Sequence, residues 1–213
     1  MKALCFGSIG VVAETSELQR QAYNLAFQDH GLDWYWTIGN YCEMLRSPGG
    51  LRRLKAFTKG KVSDELLMAI HQSKQDRFEE LLAQGVMPRA GIADCVARCQ
   101  ERGIKLGFIT TTTKRTLDIL TEALAPHIDF TSFDLLTTKA DVIAEKPSSE
   151  VYQVALSRLG VAAGDCIAIE DSEPNQEAAL KADVFCYLYA GDYATTRHNL
   201  NAVRSLNLII ESM

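Results

Sequence analysis

Several features that would point to a particular function are missing from the sequence. The chain has no surplus of basic residues, since 22 Lys and Arg stand against 27 Asp and Glu, for a formal net charge of -5. No basic stripe with interleaved aromatic residues occurs, so a nucleic-acid partner has no support. The four histidines are scattered along the chain and indicate no metal cluster.

Long apolar runs are also missing. None approaches the roughly 20 residues that a membrane-spanning helix needs. The short N-terminal run Met1–Phe6 has no cleavage signal of the kind that marks a secreted protein. The six cysteines form no Cys-x-x-Cys pair, which favours free, buried thiols in a reducing compartment. We therefore expect a cytoplasmic protein with no membrane partner.

What is present is an ordinary globular composition in alternating segments. Short apolar strands are predicted at 2–6, 105–110, 133–137, 166–170, 184–189 and 207–210. Helices are predicted before and between the later strands, at 91–102, 114–124, 149–159 and 174–182. Helices alternating with near-continuous apolar strands are typical of a parallel sheet covered on both faces. The predicted fold class is therefore α/β, with a doubly wound parallel sheet.

The first strand is separated from the others by a long stretch of helical pattern. This stretch runs to about Gln84 and is broken at Ser47-Pro48-Gly49-Gly50. A helical domain inserted after the first strand explains the layout. We predict a core domain of residues 1–14 and 88–213, and a helical cap domain of residues 15–87 lying over the carboxyl ends of the strands.

Polar side chains follow the predicted strands, at the edge where open α/β sheets bind their ligands. Gly7-Ser8-Ile9-Gly10 follows the first strand and Thr110-Thr111-Thr112-Thr113 the second. Glu145-Lys146-Pro147 precedes a helix, and Glu170-Asp171-Ser172 ends a later strand. The four loops are expected to converge, bringing together hydroxyls, one lysine and two carboxylates.

Three of these motifs, in this order, resemble those of the haloacid dehalogenase superfamily. Thr110 fits the family's Thr or Ser at the end of its second strand. Lys146-Pro147-Ser148-Ser149-Glu150-Val151-Tyr152 is similar to its Lys-Pro-x-Pro-Asp-x-Tyr motif, and Glu170-Asp171-Ser172 to its last motif. The resemblance implies that Thr110, Thr111 and Lys146 bind phosphate. It also implies that Glu170 and Asp171 belong to a Mg²⁺ site.

Two segments of the predicted cap are similar to the CbbY-like sugar-phosphate phosphatases, relatives of β-phosphoglucomutase. Residues 17–24 read Glu-Leu-Gln-Arg-Gln-Ala-Tyr-Asn, where the subfamily has Glu-Leu-His-Arg-x-Ala-Phe-Asn. Residues 49–53 read Gly-Gly-Leu-Arg-Arg, where it has Gly-Gly-Lys-Glu-Arg. Gln19, Leu51 and Arg52 therefore depart from the pattern, and Arg53 remains as the expected substrate contact.

The first motif departs most. The family carries Phe-Asp-x-Asp-Gly, whereas this chain has Phe6-Gly7-Ser8-Ile9-Gly10 and no aspartate before Asp29. In the family the first aspartate attacks phosphorus and ligates Mg²⁺, and the second is the general acid and base. Gly7 and Ile9 occupy these positions and can do neither. Losing the nucleophile of a covalent mechanism costs on the order of 10⁶-fold in rate.

The sequence leaves three functions open. The leading hypothesis is a phosphatase-family protein with little or no hydrolase activity that binds a phosphorylated small molecule or a protein partner. The second is an active Mg²⁺-dependent phosphosugar phosphatase with an atypical nucleophile. Ser8 is a candidate for that role, although no histidine base is near it in sequence. The third is a non-catalytic interaction module. Because Gly7 removes one carboxylate ligand, Mg²⁺ binding is expected to be weak or absent.

Overall fold

The protein folds into two compact units. The structure, a computed structural model, describes residues 1–46, 49–194, 199 and 201–212. The first unit contains residues 1–14 and 86–191 together with the described residues of the C-terminal segment. The second unit contains residues 15–85 and 192–194.

The first unit is built on a five-stranded sheet in which every strand pair is parallel, in the order β3-β2-β1-β4-β5. The strands are β1 (Ala3–Phe6), β2 (Lys105–Ile109), β3 (Leu135–Thr137), β4 (Cys166–Glu170) and β5 (Phe185–Leu188). The central strand β1 is buried along its whole length, as its apolar sequence predicts for a strand covered on both faces.

Ten α-helices lie in the described part of the chain. They are α1 (Ile9–Val12), α2 (Ser16–Asp29), α3 (Ile38–Met44), α4 (Gly50–Thr58), α5 (Asp64–Ala83), α6 (Ile92–Arg102), α7 (Lys114–Leu124), α8 (Glu150–Leu159), α9 (Glu173–Leu180) and α10 (Asn207–Ser212). Short 3₁₀ turns lie at Phe130–Ser132, Lys139–Asp141 and Ala163–Asp165.

Both faces of the sheet are covered. On one face Ala3 and Cys5 of β1 pack with buried residues of α8 and α9. The alternate residues Leu4 and Phe6 point to the opposite face and are also fully buried. Phe6 lies there against Phe133, with ring centroids 6.1 Å apart. The doubly wound parallel architecture expected from the sequence is confirmed.

The strand predicted at 207–210 is wrong, because this segment forms the helix α10. Leu206 and Ile209, three residues apart, are buried, while Leu208 between them is 59% exposed. This spacing puts the two buried side chains on one helical face, which packs against α6. A short apolar run does not distinguish strand from helix by periodicity alone, and tertiary packing decided for the helix.

The second unit is helical, with α2 packed along α5. Its core is aromatic and includes Tyr23, Phe27, Trp36 and Tyr41. The Tyr23 and Trp36 rings lie 4.3 Å apart. Ser47 and Pro48 of the predicted helix break lie outside the described residues, whereas Gly50 begins α4 and Gly49 is its N-cap residue.

No disulfide forms among the six cysteines, five of which are buried and one, Cys42, half-buried. Across the described ranges, no helix is both long and apolar enough to span a membrane.

Candidate functional site

The predicted site residues of the first unit lie where the strands end. Gly7 follows β1, Thr110 follows β2, and Glu170 is the last residue of β4. Lys146 lies between β3 and α8. Because the strands are parallel, their carboxyl ends share one edge of the sheet, and Gly7, Lys146 and Glu170 meet there through direct contacts.

Gly7 has no room for a side chain in the arrangement that the structure adopts. A Cβ atom built on Gly7 would lie 2.1 Å from the carboxyl carbon and Oε1 of Glu170, and 2.5 Å from the Tyr152 hydroxyl. Unbonded heavy atoms do not approach so closely. The space that belongs to a nucleophile at position 7 is therefore filled by two side chains from other elements.

Lys146 is the centre of the contacts at this edge. Its Nζ donates to the carbonyl oxygen of Gly7, to the carbonyl oxygen of Ile109 at 2.7 Å, and to Glu170 Oε1 at 2.6 Å. An ammonium group has three N–H donors, so all three are used within the chain. The Lys146 side chain is only 4% exposed.

Glu170 is fully buried, and Tyr152 donates its hydroxyl hydrogen to the same Oε1 at 2.7 Å. Burial raises the pKa of the Glu170 carboxyl, and the charge of Lys146 opposes that rise. Burial, together with the neighbouring Glu170, raises the pKa of Tyr152 well above its usual range. The second carboxylate oxygen of Glu170, Oε2, has no hydrogen-bond partner within the described part of the chain.

Tyr152 is a site residue to which its sequence motif assigned no role. It lies on α8, six positions after Lys146 in the same motif, and it is buried. An aromatic hydroxyl on the first turn of the helix that follows the lysine was the available signal. The Lys146 Nζ lies 5.2 Å from the centroid of the Tyr152 ring, so the ring also shields the ammonium from solvent.

The threonines after β2 are arranged as a turn. The Thr110 hydroxyl oxygen accepts from the Thr112 backbone N–H at 3.1 Å, and the Thr110 carbonyl accepts from Thr137. Thr110 is buried and Thr111 half-buried, while Thr113 caps α7 by accepting from the Thr116 N–H. The Thr110 hydroxyl can still donate, as an anion-binding role requires.

Asp171 is held next to α1. Its Oδ1 accepts from the Asn175 side chain at 3.0 Å, and a Cβ on Gly10 would lie 2.1 Å from its Oδ2. A glycine at position 10 therefore makes room for this carboxylate.

Ile9 begins α1 and is half-buried, and its alkyl side chain has no group that could transfer a proton. The Ser8 hydroxyl is buried with no hydrogen-bond partner among the residues described, so nothing there activates it as a nucleophile.

Hydrolases of the haloacid dehalogenase family generally use Mg²⁺, but these residues do not fit a Mg²⁺ ion. Glu170 is engaged by the positive charge of Lys146, which opposes a second cation beside it. Within residues 1–46, 49–194, 199 and 201–212, no group of three or more His, Cys, Asp or Glu side chains is placed to hold a metal. Mg²⁺ is usually held by one or two carboxylates together with several waters, and of the two carboxylates here Glu170 is buried against Lys146 and Tyr152.

The predicted cap contact, Arg53, lies in the second unit on α4. It is 9% exposed, donates from Nε to the Met44 carbonyl at 3.1 Å, and lies over the Tyr41 ring. Gln19, on α2, accepts from the buried Lys74 at 2.7 Å. A cavity of about 670 Å³ opens beside α3 and α4, lined by Asn40, Glu43, Met44, Arg52, Arg53, Ala56, Phe57 and Lys59.

Comparison with known proteins places this chain in a family. Residues 10–188 match the family model of haloacid dehalogenase-like hydrolases, a match that begins directly after Gly7, Ser8 and Ile9. Protein CbbY of Cereibacter sphaeroides is 35% identical over 202 residues, which cover 93% of this chain and 87% of that protein.

Solved structures agree with this placement. CbbY from Rhodobacter sphaeroides in complex with phosphate has a TM-score of 0.84 and 31% identity, covering 96% of this chain and 95% of that one. A variant of the same protein, with an aspartate replaced by asparagine, was solved with xylulose-1,5-bisphosphate. A β-phosphoglucomutase from Clostridium difficile, at 18% identity and a TM-score of 0.75 over 98% of this chain and 93% of its own, shares the fold. The chain therefore belongs to the haloacid dehalogenase-like hydrolase family, as a CbbY-like member.

Proposed function

We propose that this protein is a CbbY-like family member that binds a phosphorylated small molecule and does not hydrolyse it. The observation that carries the proposal is the filled space over Gly7. No side chain at position 7 can attack phosphorus, and the room for one is taken by Glu170 and Tyr152. Ile9, at the second catalytic position, lacks a proton-transfer group.

The groups that remain are those that recognise an oxyanion. Lys146 supplies a buried positive charge, and Thr110 supplies a hydroxyl donor. Bound phosphate in the CbbY structure from Rhodobacter sphaeroides supports this ligand class. The xylulose-1,5-bisphosphate bound to the variant of that protein makes a pentulose bisphosphate the first ligand to test.

An active phosphatase with another nucleophile is less well supported. No described residue forms a hydrogen bond with the Ser8 hydroxyl, so no base is placed to activate it. The Glu170 carboxylate lies close to position 7, where the family has its nucleophile. However, Glu170 is fully buried, and its Oε1 accepts hydrogen bonds from Lys146 and Tyr152. A nucleophile has to face the phosphorus atom of a bound substrate, whereas this carboxylate is turned towards Lys146 and Tyr152. A protein partner remains an alternative that no surface feature of the described residues specifically favours.

The test combines a turnover assay with a binding assay on the same preparation. A panel of phosphomonoesters with Mg²⁺ is expected to give no phosphate release above that of the Asp171→Asn variant purified in parallel, a control for a contaminating phosphatase. In thermal-shift measurements, sugar phosphates, xylulose-1,5-bisphosphate among them, are expected to raise the melting temperature. Mg²⁺-dependent turnover that is lost in Asp171→Asn would establish the active-phosphatase alternative. If neither turnover nor stabilisation is observed, the interaction module is favoured.

A further inference from the structure

The anion site described above is already saturated by the protein itself. The three donors of Lys146 are spent on the Gly7 and Ile109 carbonyls and on Glu170 Oε1. A phosphate that approaches Lys146 therefore finds no free N–H on it. It also meets the Glu170 carboxylate, whose negative charge repels an anion at short range.

Glu170 takes the place that the glycine leaves open. Its carboxyl carbon lies 2.1 Å from a Cβ built on Gly7. The carboxylate therefore lies at the carboxyl end of β1, where the family has its aspartate side chain. Any side chain larger than that of glycine at position 7 would push Glu170 away from this place.

The internal contact is incomplete, which makes it exchangeable. Glu170 Oε1 receives two hydrogen bonds, whereas Oε2 is buried with no partner in the described residues. A buried, unsatisfied carboxylate oxygen is costly. Moving the carboxylate into contact with water would relieve this cost, and an incoming oxyanion could satisfy Lys146 in its place.

We infer that Glu170 is an autoinhibitory internal ligand: it occupies the anion position on Lys146, and phosphate binds by displacing it. The phosphate ligand in this inference rests on the proposed function. The contact is noncovalent, so the exchange replaces one set of charge-assisted hydrogen bonds on Lys146 with another. The metal-free affinity for phosphate is then set by competition between two anions, one of which belongs to the chain.

Calorimetric titration with inorganic phosphate in the presence of EDTA tests the competition. Glu170→Gln keeps the size of the side chain and removes its charge, and it is expected to bind phosphate roughly tenfold more tightly than the parent protein. The matched control is Glu177→Gln, which removes the same charge from an exposed ion pair with Lys181 on the neighbouring helix. Its phosphate affinity is expected to equal that of the parent, which separates the local contact from net charge.

A milder variant covers the case in which Glu170→Gln does not fold. Tyr152→Phe removes only the hydroxyl that holds Glu170 Oε1, keeps the buried ring, and is expected to raise phosphate affinity about two- to fivefold. A double-mutant cycle between Lys146→Met and Glu170→Gln, read by urea unfolding without phosphate, measures the internal contact directly.

The outcomes separate the two proposals. Non-additive unfolding in the cycle, together with tighter phosphate binding by the Glu170 or Tyr152 variant, supports the autoinhibitory contact. Additive unfolding overturns it whether or not phosphate binds. Equal phosphate affinity in the parent, Glu170→Gln and Tyr152→Phe overturns the competition and leaves the proposed function standing. Coupled unfolding with no phosphate binding in any folded variant overturns the competition and the phosphate-binding function together.

Discussion

Gly7 is the residue on which the site depends, because its missing Cβ is what allows Glu170 and Tyr152 to meet over β1. We predict that Gly7→Ala lowers the free energy of unfolding by about 1–3 kcal/mol, the usual cost of forcing an atom into a filled interior. Gly39→Ala is the control, since a Cβ there meets nothing within 4 Å. That helical position is expected to gain up to about 1 kcal/mol. Urea unfolding of both variants provides the comparison.

If Gly7→Ala unfolds like the parent, Glu170 moves aside at no cost and the filled site is not a stable arrangement. The same substitution made in a Glu170→Ala background should cost less than in the parent. This difference isolates the contact between the two positions.

Lys74 is the second residue with a measurable consequence. It is 5% exposed, and burial, reinforced by the charge of Arg53, lowers its pKa from the ordinary 10.5 to about 7. In the unfolded chain the amine binds its proton up to about pH 10.5, so between pH 7 and 10.5 the unfolded state holds more protons. The free-energy cost of burying the Lys74 amine is therefore largest below pH 7, declines as the pH rises towards 10.5, and is absent above that pH.

We predict that Lys74→Met raises the free energy of unfolding at pH 7, because no buried amine then has to be desolvated. The gain should shrink steadily between pH 7 and 10.5. Lys61→Met, at an exposed position, should leave the pH dependence unchanged. Parallel pH profiles of the parent and Lys74→Met would contradict the low pKa.

At the scale of elements, the motif of residues 17–24 on α2 fixes the segment that follows the helix. Arg20 is buried, donates to Glu17 at 2.6 and 2.8 Å, and reaches the Trp36 carbonyl at 2.7 Å. Asn24 exchanges two hydrogen bonds with the backbone of Trp36. The motif that resembles the CbbY-like subfamily therefore includes residues that fix Trp36 in the aromatic core.

Glu17→Gln is predicted to lower the free energy of unfolding by about 1–3 kcal/mol, because the buried Arg20 guanidinium loses its charged partner. Asp118→Asn breaks an exposed helical pair with Lys114 and should change it by less than about 0.5 kcal/mol. Chemical denaturation at pH 7 measures both. An equal effect of the two substitutions would show that the Glu17–Arg20 pair behaves as a surface pair.

The same motif has a pH signature. Hydrogen bonds from Arg20, followed by those from Tyr193 and Gln21, lower the pKa of Glu17 to about 2. A carboxylate with a depressed folded pKa stabilises the fold above its unfolded value. The contribution should be present above about pH 4.5 and lost as the pH falls towards 2. Glu17→Gln should lack this acid-dependent loss.

At the scale of the whole molecule, repairing the first motif tests whether the rest of the site is still in register. Gly7→Asp with Ile9→Asp restores a nucleophile, a metal ligand and an acid/base together. Partial recovery of Mg²⁺-dependent phosphate release is expected, because the new aspartate first has to displace Glu170 from its place beside Lys146. The rate of phosphate release by Gly7→Asp alone should be roughly 10²–10⁴-fold lower than that of the double variant, since no general acid then protonates the leaving group.

The matched control is the double variant carrying Asp171→Asn in addition, which should abolish the recovered release. Small generic phosphomonoesters are the substrates of choice, because Gln19 and Leu51 depart from the sequence pattern of the CbbY-like subfamily. A folded double variant that binds Mg²⁺ without any gain in turnover would show that more than the first motif has been lost.

Much of this protein could be read from single positions. The family, the parallel α/β sheet and the convergence of Gly7, Lys146 and Glu170 follow from strand-end motifs, because parallel strands necessarily bring their carboxyl ends to one edge. The absence of an aspartate at positions 7 and 9 is likewise visible in the sequence alone. A strand was wrongly predicted at 207–210, where a short apolar run left helix and strand undetermined.

Only the tertiary structure decided what replaces the missing nucleophile. Gly7 and Lys146 are 139 residues apart, and Tyr152 and Glu170 come from different elements again. A glycine in the sequence states that a side chain is absent, but which neighbour fills the space depends on packing and charge among residues distant in the chain. Burial favours the neighbour that can neutralise Lys146, and Glu170 is the carboxylate within its reach.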